Sequence, residues 1–111
     1  MHTRLAVLLA VTVLAVAAEG CAGLRVGRTF PSPDPAQITV NATDKAALVR
    51  MFGEPYQVGL DSGDPTWRWF YAAHDAGGEV SKDFSVRFNP NGTVKSYSST
   101  SNFPDDMKKL R

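Results

Sequence analysis

With 111 residues, 12 Lys plus Arg against 11 Asp plus Glu, and one cysteine, the chain has room for one small domain and carries a formal net charge of +1. That balance excludes a sequence-wide basic surface for nucleic acid and an acidic surface for a basic partner. A lone cysteine excludes an internal disulfide.

The first element is an address. Arg4 leads into an uncharged run over residues 5–18, closed by Ala18, Glu19, Gly20 and Cys21. This is the layout of a bacterial secretion signal ending in a lipid attachment site. The run is too short for a spanning helix, which needs about 20 apolar residues. The order of residues therefore predicts a lipoprotein signal peptide over residues 1–20 and lipidation at Cys21. Lipidation also accounts for an unpaired thiol in an oxidising compartment. A second reading stays open: Ala15, Val16 and Ala17 form an A-x-A site, and cleavage there releases a soluble periplasmic protein with a free Cys21.

Residues 21–36 hold Gly23, Gly27, Pro31, Pro33 and Pro35, with Arg25 and Arg28 among them. Prolines remove backbone donors and bias their predecessors to extended geometry, so this stretch reads as a flexible tether. Extended at about 3.1 Å per residue, it reaches roughly 45 Å. Ile38 and Val40 then alternate with Thr39 and Asn41, as an extended lead-in or the end of a helical turn.

A short helix follows. Thr43 can cap it, Asp44 places a negative charge on its first turn, and Ala47, Leu48, Met51 and Phe52 recur at helical spacing. Gly53 and Pro55 end it. Residues 60–65 read as a loop. Residues 66–73 read as a strand, with Trp67, Trp69 and Tyr71 on one face and Arg68, Phe70 and Ala72 on the other. After a second loop over residues 74–82, residues 83–89 alternate cleanly, with Phe84, Val86 and Phe88 facing one way. Asn89, Pro90, Asn91 and Gly92 make a turn, and residues 93–99 close a hairpin. The predicted fold class is α+β: one short helix on a three-stranded antiparallel meander sheet over residues 37–103, with a tail at 104–111.

The run Ile38-Thr39-Val40-Asn41-Ala42-Thr43-Asp44-Lys45, then Leu48-Val49 and Phe52-Gly53-Glu54-Pro55, resembles the opening of the SmpA/OmlA (BamE-like) family of small outer-membrane lipoproteins. Trp69-Phe70-Tyr71 resembles that family's aromatic strand. Phe84-Ser85-Val86-Arg87-Phe88 with Gly92-Thr93-Val94 resembles its closing hairpin. The resemblance implies a lipid-anchored outer-membrane protein facing the periplasm, an accessory role in outer-membrane β-barrel assembly, and barrel-assembly subunits as partners. Ala22 after Cys21 is compatible with the outer-membrane sorting that the resemblance implies. Two positions depart from the family. Asn41 stands where glycine is common, and asparagine is the best substitute if that position needs positive φ. Pro33 and Pro35 leave room for only a turn where the family has its first helix.

No set of residues points to catalysis. His74 stands alone at a strand end, Ser96, Ser98, Ser99 and Ser101 lack a nucleophile elbow, and Asp61 with Asp64 lacks the further ligands of a calcium loop. The expectation is a protein that is not an enzyme and needs no cofactor or metal. It contacts the membrane through its anchor, an envelope protein through its domain, and no nucleic acid. Trp67, Phe70 and Tyr97 are the candidate partner surface, on strand faces set away from the core, since Trp and Tyr are favoured binding anchors. The alternative is a periplasmic binding or inhibitor-like domain that uses its open sheet face and takes no part in barrel assembly.

Overall fold

Residues 23–111 are described by the computed structural model, and the predicted signal peptide and Cys21 lie outside them. The elements in order are β1 (Leu24–Gly27), a single 3-10 turn (Pro35–Gln37), α1 (Lys45–Phe52), β2 (Gln57–Asp61), β3 (Asp64–Asp75), β4 (Gly78–Phe88), β5 (Val94–Ser101) and α2 (Pro104–Leu110). The fold is α+β with one antiparallel sheet, ordered β1-β3-β4-β5, and β2 also pairs with β3. β1 lies against His74, Ala73, Ala72 and Tyr71, and β2 against the stretch from Asp64 to Arg68, so the two share the outer edge of β3 end to end.

The period of two in β4 decides which sheet face is covered. Phe84, Val86 and Phe88 are buried on one side, while Asp83, Ser85 and Arg87 lie on the other. On the covered side sits α1, whose Leu48 and Phe52 are buried. Asp44 caps the helix by accepting a 2.9 Å hydrogen bond from the Ala47 amide, and Gly53 ends it at φ 82°. Phe52 and Trp69 both meet Phe84, with ring centroids 4.8 and 5.2 Å away. The Trp69 indole donates a 3.0 Å hydrogen bond to the Gly53 carbonyl, which ties the helix end to the sheet. Phe30, Ile38, Val86 and Val94 complete the core.

The entry to α1 is fastened to the turn between β4 and β5. Asn41 takes φ 68°, as the asparagine-for-glycine reading requires, and its amide donates to the Val94 carbonyl at 2.7 Å. The Asn89 side chain donates to Asn41 Oδ1 at 2.9 Å, and the Val94 amide donates to the Thr43 carbonyl at 2.8 Å. Asp44, rather than Thr43, is the capping residue; the Thr43 hydroxyl instead accepts from the Thr39 amide.

The expected three-stranded sheet is thus a sheet of five strands. β1 lies inside the expected tether, and Phe30 beyond it is buried. The prolines that follow keep the chain extended without detaching it from the domain. The turn at Pro35–Gln37 is the only regular element that the proline spacing allows there. The expected loop at 60–65 is a tight hairpin turn, with Ser62 at φ 51° and Gly63 at φ 88° between β2 and β3. The expected loop at 74–82 shrinks to Ala76 and Gly77, because β3 and β4 pair out to Asp75 and Gly78. The expected tail is α2: Pro104 starts it, Asp105 and Asp106 lie in its first turn, and Lys108 and Lys109 in its last.

Candidate functional site

The three aromatics expected to form one surface are divided between the two faces of the sheet. Trp67 opposes Val86, Val86 opposes Tyr97, and all three point to the covered side. The Trp67 ring lies 5.1 Å from Phe88 and the Tyr97 ring 6.1 Å from Phe84, so both flank the core and are partly buried. Phe70 lies on the open face, with the Arg68 guanidinium 4.7 Å from its ring centroid and Tyr56 at 5.9 Å. Tyr97 changes side for a local reason. The register slips by one residue between Arg87 and Phe88, where Lys95 is the extra residue of a bulge. A one-residue slip moves every later side chain to the other face.

The open face is lined with ion pairs that satisfy one another. Arg68 Nε donates to both carboxylate oxygens of Asp83 at 3.0 Å, and Arg68 Nη1 donates to Gln57 at 2.9 Å. Arg87 Nε reaches Asp64 at 2.7 Å and Arg87 Nη2 reaches the Asp61 carbonyl at 3.1 Å, while Lys95 Nζ reaches Asp64 at 2.8 Å. Hydrogen bonds from Lys95 and Arg87 hold the Asp64 carboxyl below the usual carboxylate range, and Asp83 holds the Arg68 guanidinium above its ordinary value. Arg68, Arg87 and Lys95 face Asp61, Asp64 and Asp83, so this network has no net charge to steer a charged ligand.

A second polar cluster lies on the covered side. Lys82 occupies a β4 position whose neighbours in register, Phe84 and Val86, are core residues, and it is 9% exposed. Its Nζ stands 4.9 Å from the ring centroids of both Phe30 and Phe103. Burial lowers its pKa, and the charge of Asp106 works the other way. Asp106, 8% exposed, accepts hydrogen bonds from Ser32 at 2.8 Å and Ser101 at 2.6 Å. Burial alone pushes its carboxyl up, but the two serine hydroxyls, with Lys82 and Lys109, outweigh burial and hold it below the usual range. The cluster joins the segment before the 3-10 turn, β4, the end of β5 and α2. Its geometry is that of a clamp.

Apolar side chains also point outward, on α2 at Met107 and Leu110 and on the two edge strands β1 and β2. Leu24 and Val26 of β1 are 64% and 49% exposed, and Val58 and Leu60 of β2 are 70% and 76% exposed. Sequence reasoning overlooked all four. For Val58 and Leu60 the signal was the alternation Gln57, Val58, Gly59, Leu60, Asp61, which has a period of two over a stretch too polar to read as core. A cleft of about 520 Å³ opens where β1 and β2 leave β3, bounded by Gly27, Gly53, Tyr56 and Phe70. His74 pairs loosely with Glu79 at 3.6 Å, both well exposed. Among the described residues no three His, Cys, Asp or Glu side chains group as metal ligands, and no helix is long and apolar enough to cross a membrane. Compared with protein-family models, curated proteins and solved structures, the chain matches none.

Proposed function

We propose that the chain is a lipid-anchored outer-membrane lipoprotein that faces the periplasm and works as a small protein-binding module, an accessory of outer-membrane β-barrel assembly. The binding half rests on the exposed aliphatic side chains of β1 and β2, Leu24, Val26, Val58 and Leu60. Edge strands with unpaired backbone groups and apolar side chains invite added chain. The anchoring half rests on the arrangement of residues 1–21. Only Ala22 and Gly23 separate Cys21 from β1, so an acylated Cys21 would keep the sheet edge within roughly 10 Å of the headgroups, at about 3.3–3.6 Å per residue. The domain would sit against the membrane rather than on a long tether. The assembly role rests on the family resemblance over residues 36–100.

The alternative, a binder using its open sheet face, draws less support. That face offers Phe70 beside Tyr56, but its other prominent side chains are paired ions. Two experiments test the proposal. Fatty-acid labelling of the full chain in an envelope-bearing host should be lost on Cys21→Ser, and an unlabelled wild-type protein refutes the anchor. Affinity purification from detergent should recover barrel-assembly subunits, and their consistent absence refutes the assembly role.

A further inference from the structure

We propose that the outer edge of β2 pairs with β2 of a second copy, in one antiparallel register centred on Gly59. The inference assigns the β2 half of the edge to a second copy, leaves Leu24 and Val26 of β1 to the envelope partner, and does not depend on the anchor.

Three observations carry it. First, the backbone groups of this edge are open in the right places. Leu60 lies opposite Pro65, which has no N–H, and the two-residue turn makes Asp61 and Asp64 the closing hydrogen-bonded pair. In an antiparallel pair, alternate residues aim both N–H and C=O at the same neighbour. Gln57, Gly59 and Asp61 therefore bond to β3, and Val58 and Leu60 present their N–H and C=O outward. Second, β2 has few of the devices that protect an edge, since its one charged side chain, Asp61, lies at its end and pairs with Arg87. The strand has no lysine, arginine or proline and its pairing with β3 is unbroken, whereas β5 carries Lys95 with a bulge and β1 carries Arg25. All five β2 residues are exposed.

Third, the strand is self-complementary. With Gly59 opposite Gly59 of the second copy, Val58 opposes Leu60 in both halves of a two-fold pair. Those are the outward-facing residues, so the register forms four backbone hydrogen bonds, about twice what a register shifted to set Val58 against Val58, or Leu60 against Leu60, would form. Gln57 then opposes Asp61, amide against carboxylate, and no like charges meet. Val58 and Leu60 lie on the same face as Trp67, so the pairing also covers the two most exposed β2 side chains with each other.

A five-residue pairing is smaller than the roughly 1,200 Å² at which stable interfaces begin, so the association is concentration-dependent. The test uses the chain from Ala22 onward, which contains every core residue among the described residues, in sedimentation runs over a wide concentration range. The wild type should move from one chain mass towards two. Val58→Lys places two lysines diagonally across the two-fold, and Leu60→Glu does the same with two glutamates. Each should weaken association about tenfold or more while circular dichroism shows an unchanged fold, since both sites are on the surface. Mixed one to one, the two variants set the introduced lysine of one copy against the introduced glutamate of the other and should recover association. A wild type that stays monomeric throughout, single variants that associate as well as wild type, or a mixture that recovers nothing would each overturn the proposal.

Discussion

Asp106→Ala is the substitution through which the clamp can be weighed. The carboxylate is 8% exposed, and it accepts from Ser32 and Ser101 at 2.8 and 2.6 Å. Hydrogen bonds to a charged group contribute about 1.5–3 kcal/mol each, although both hydroxyls are part-buried and recover some water on truncation. Removal also strands the Lys82 ammonium, itself 9% exposed, between Phe30 and Phe103 without its neighbouring countercharge. Breaking one side of a buried charged arrangement costs about 3–5 kcal/mol, and the partial access here places the expected loss near 3 kcal/mol. For a domain of this size that corresponds to a fall of about 12–24 °C in melting temperature. Urea and thermal unfolding of wild type, Asp106→Ala, Lys82→Met and the double variant measure it as a cycle. Lys82→Met takes the ammonium from Asp106 but leaves that carboxylate its two serine donors, so it should destabilise by less than Asp106→Ala. The double variant should be more stable than the sum of the singles by about 1–2 kcal/mol, because it removes the stranded charge. A loss below about 0.5 kcal/mol for Asp106→Ala, or strict additivity of the pair, would refute the clamp.

Acid should weaken the fold in a defined window. Asp64 and Asp106 both sit below the ordinary carboxylate value of 3.8 in the folded chain, so near that pH the unfolded chain binds more protons. Stability from these groups is therefore complete above about pH 5 and declines as pH falls through about 4. Urea midpoints followed from neutral pH downward should show that decline, Asp64→Asn should flatten it, and midpoints that hold through the acid range would contradict the assignment. Gly27→Ala should release β1. Gly27 takes φ 75°, and a Cβ there would lie 2.1 Å from the Phe70 carbonyl oxygen, whereas Gly53 and Gly92 have positive φ with open space around them. Alanine should cost about 1–2 kcal/mol of backbone strain at Gly92 and up to about 3 kcal/mol at Gly53, whose ψ of −170° puts it in a region that only glycine adopts readily. Gly27→Ala should cost more and should speed amide exchange at residues 24–27, and equal costs at all three glycines would refute the close approach.

The hairpin of β4 and β5 and the helix α1 were legible because both write burial into side chains. Phe84, Val86 and Phe88 alternate into the core, and Leu48 and Phe52 lie four apart on one helical stripe. β2 was not legible, because its five residues are exposed and it is held by backbone pairing to β3. β1 was hidden in the same way by Gly23, Arg25 and Gly27, and the prolines after it concealed the path that carries Phe30 and Ser32 to Lys82 and Asp106. α2 had its signals in plain sight: Pro104 at the start, acids in the first turn and bases in the last. The two aromatics placed on the wrong side fail for separate reasons. Trp67 shares the parity of buried Trp69, while Tyr97 crosses the sheet only because of a bulge that no side-chain pattern announces.

The same contrast explains why the fold is easier to read than the site. One face of the sheet is committed to α1 and the aromatic core, and the other holds three cations against three anions in mutual hydrogen bonds. On the proposed reading, recognition falls to the margins of the sheet, where Leu24, Val26, Val58 and Leu60 are exposed. There the informative groups are the unpaired amides and carbonyls of Val58 and Leu60, which every residue except proline possesses. What distinguishes one edge from another is what it lacks: a lysine, a proline, a bulge. β2 lacks all three, and this absence becomes meaningful only once the strand is known to lie at an edge.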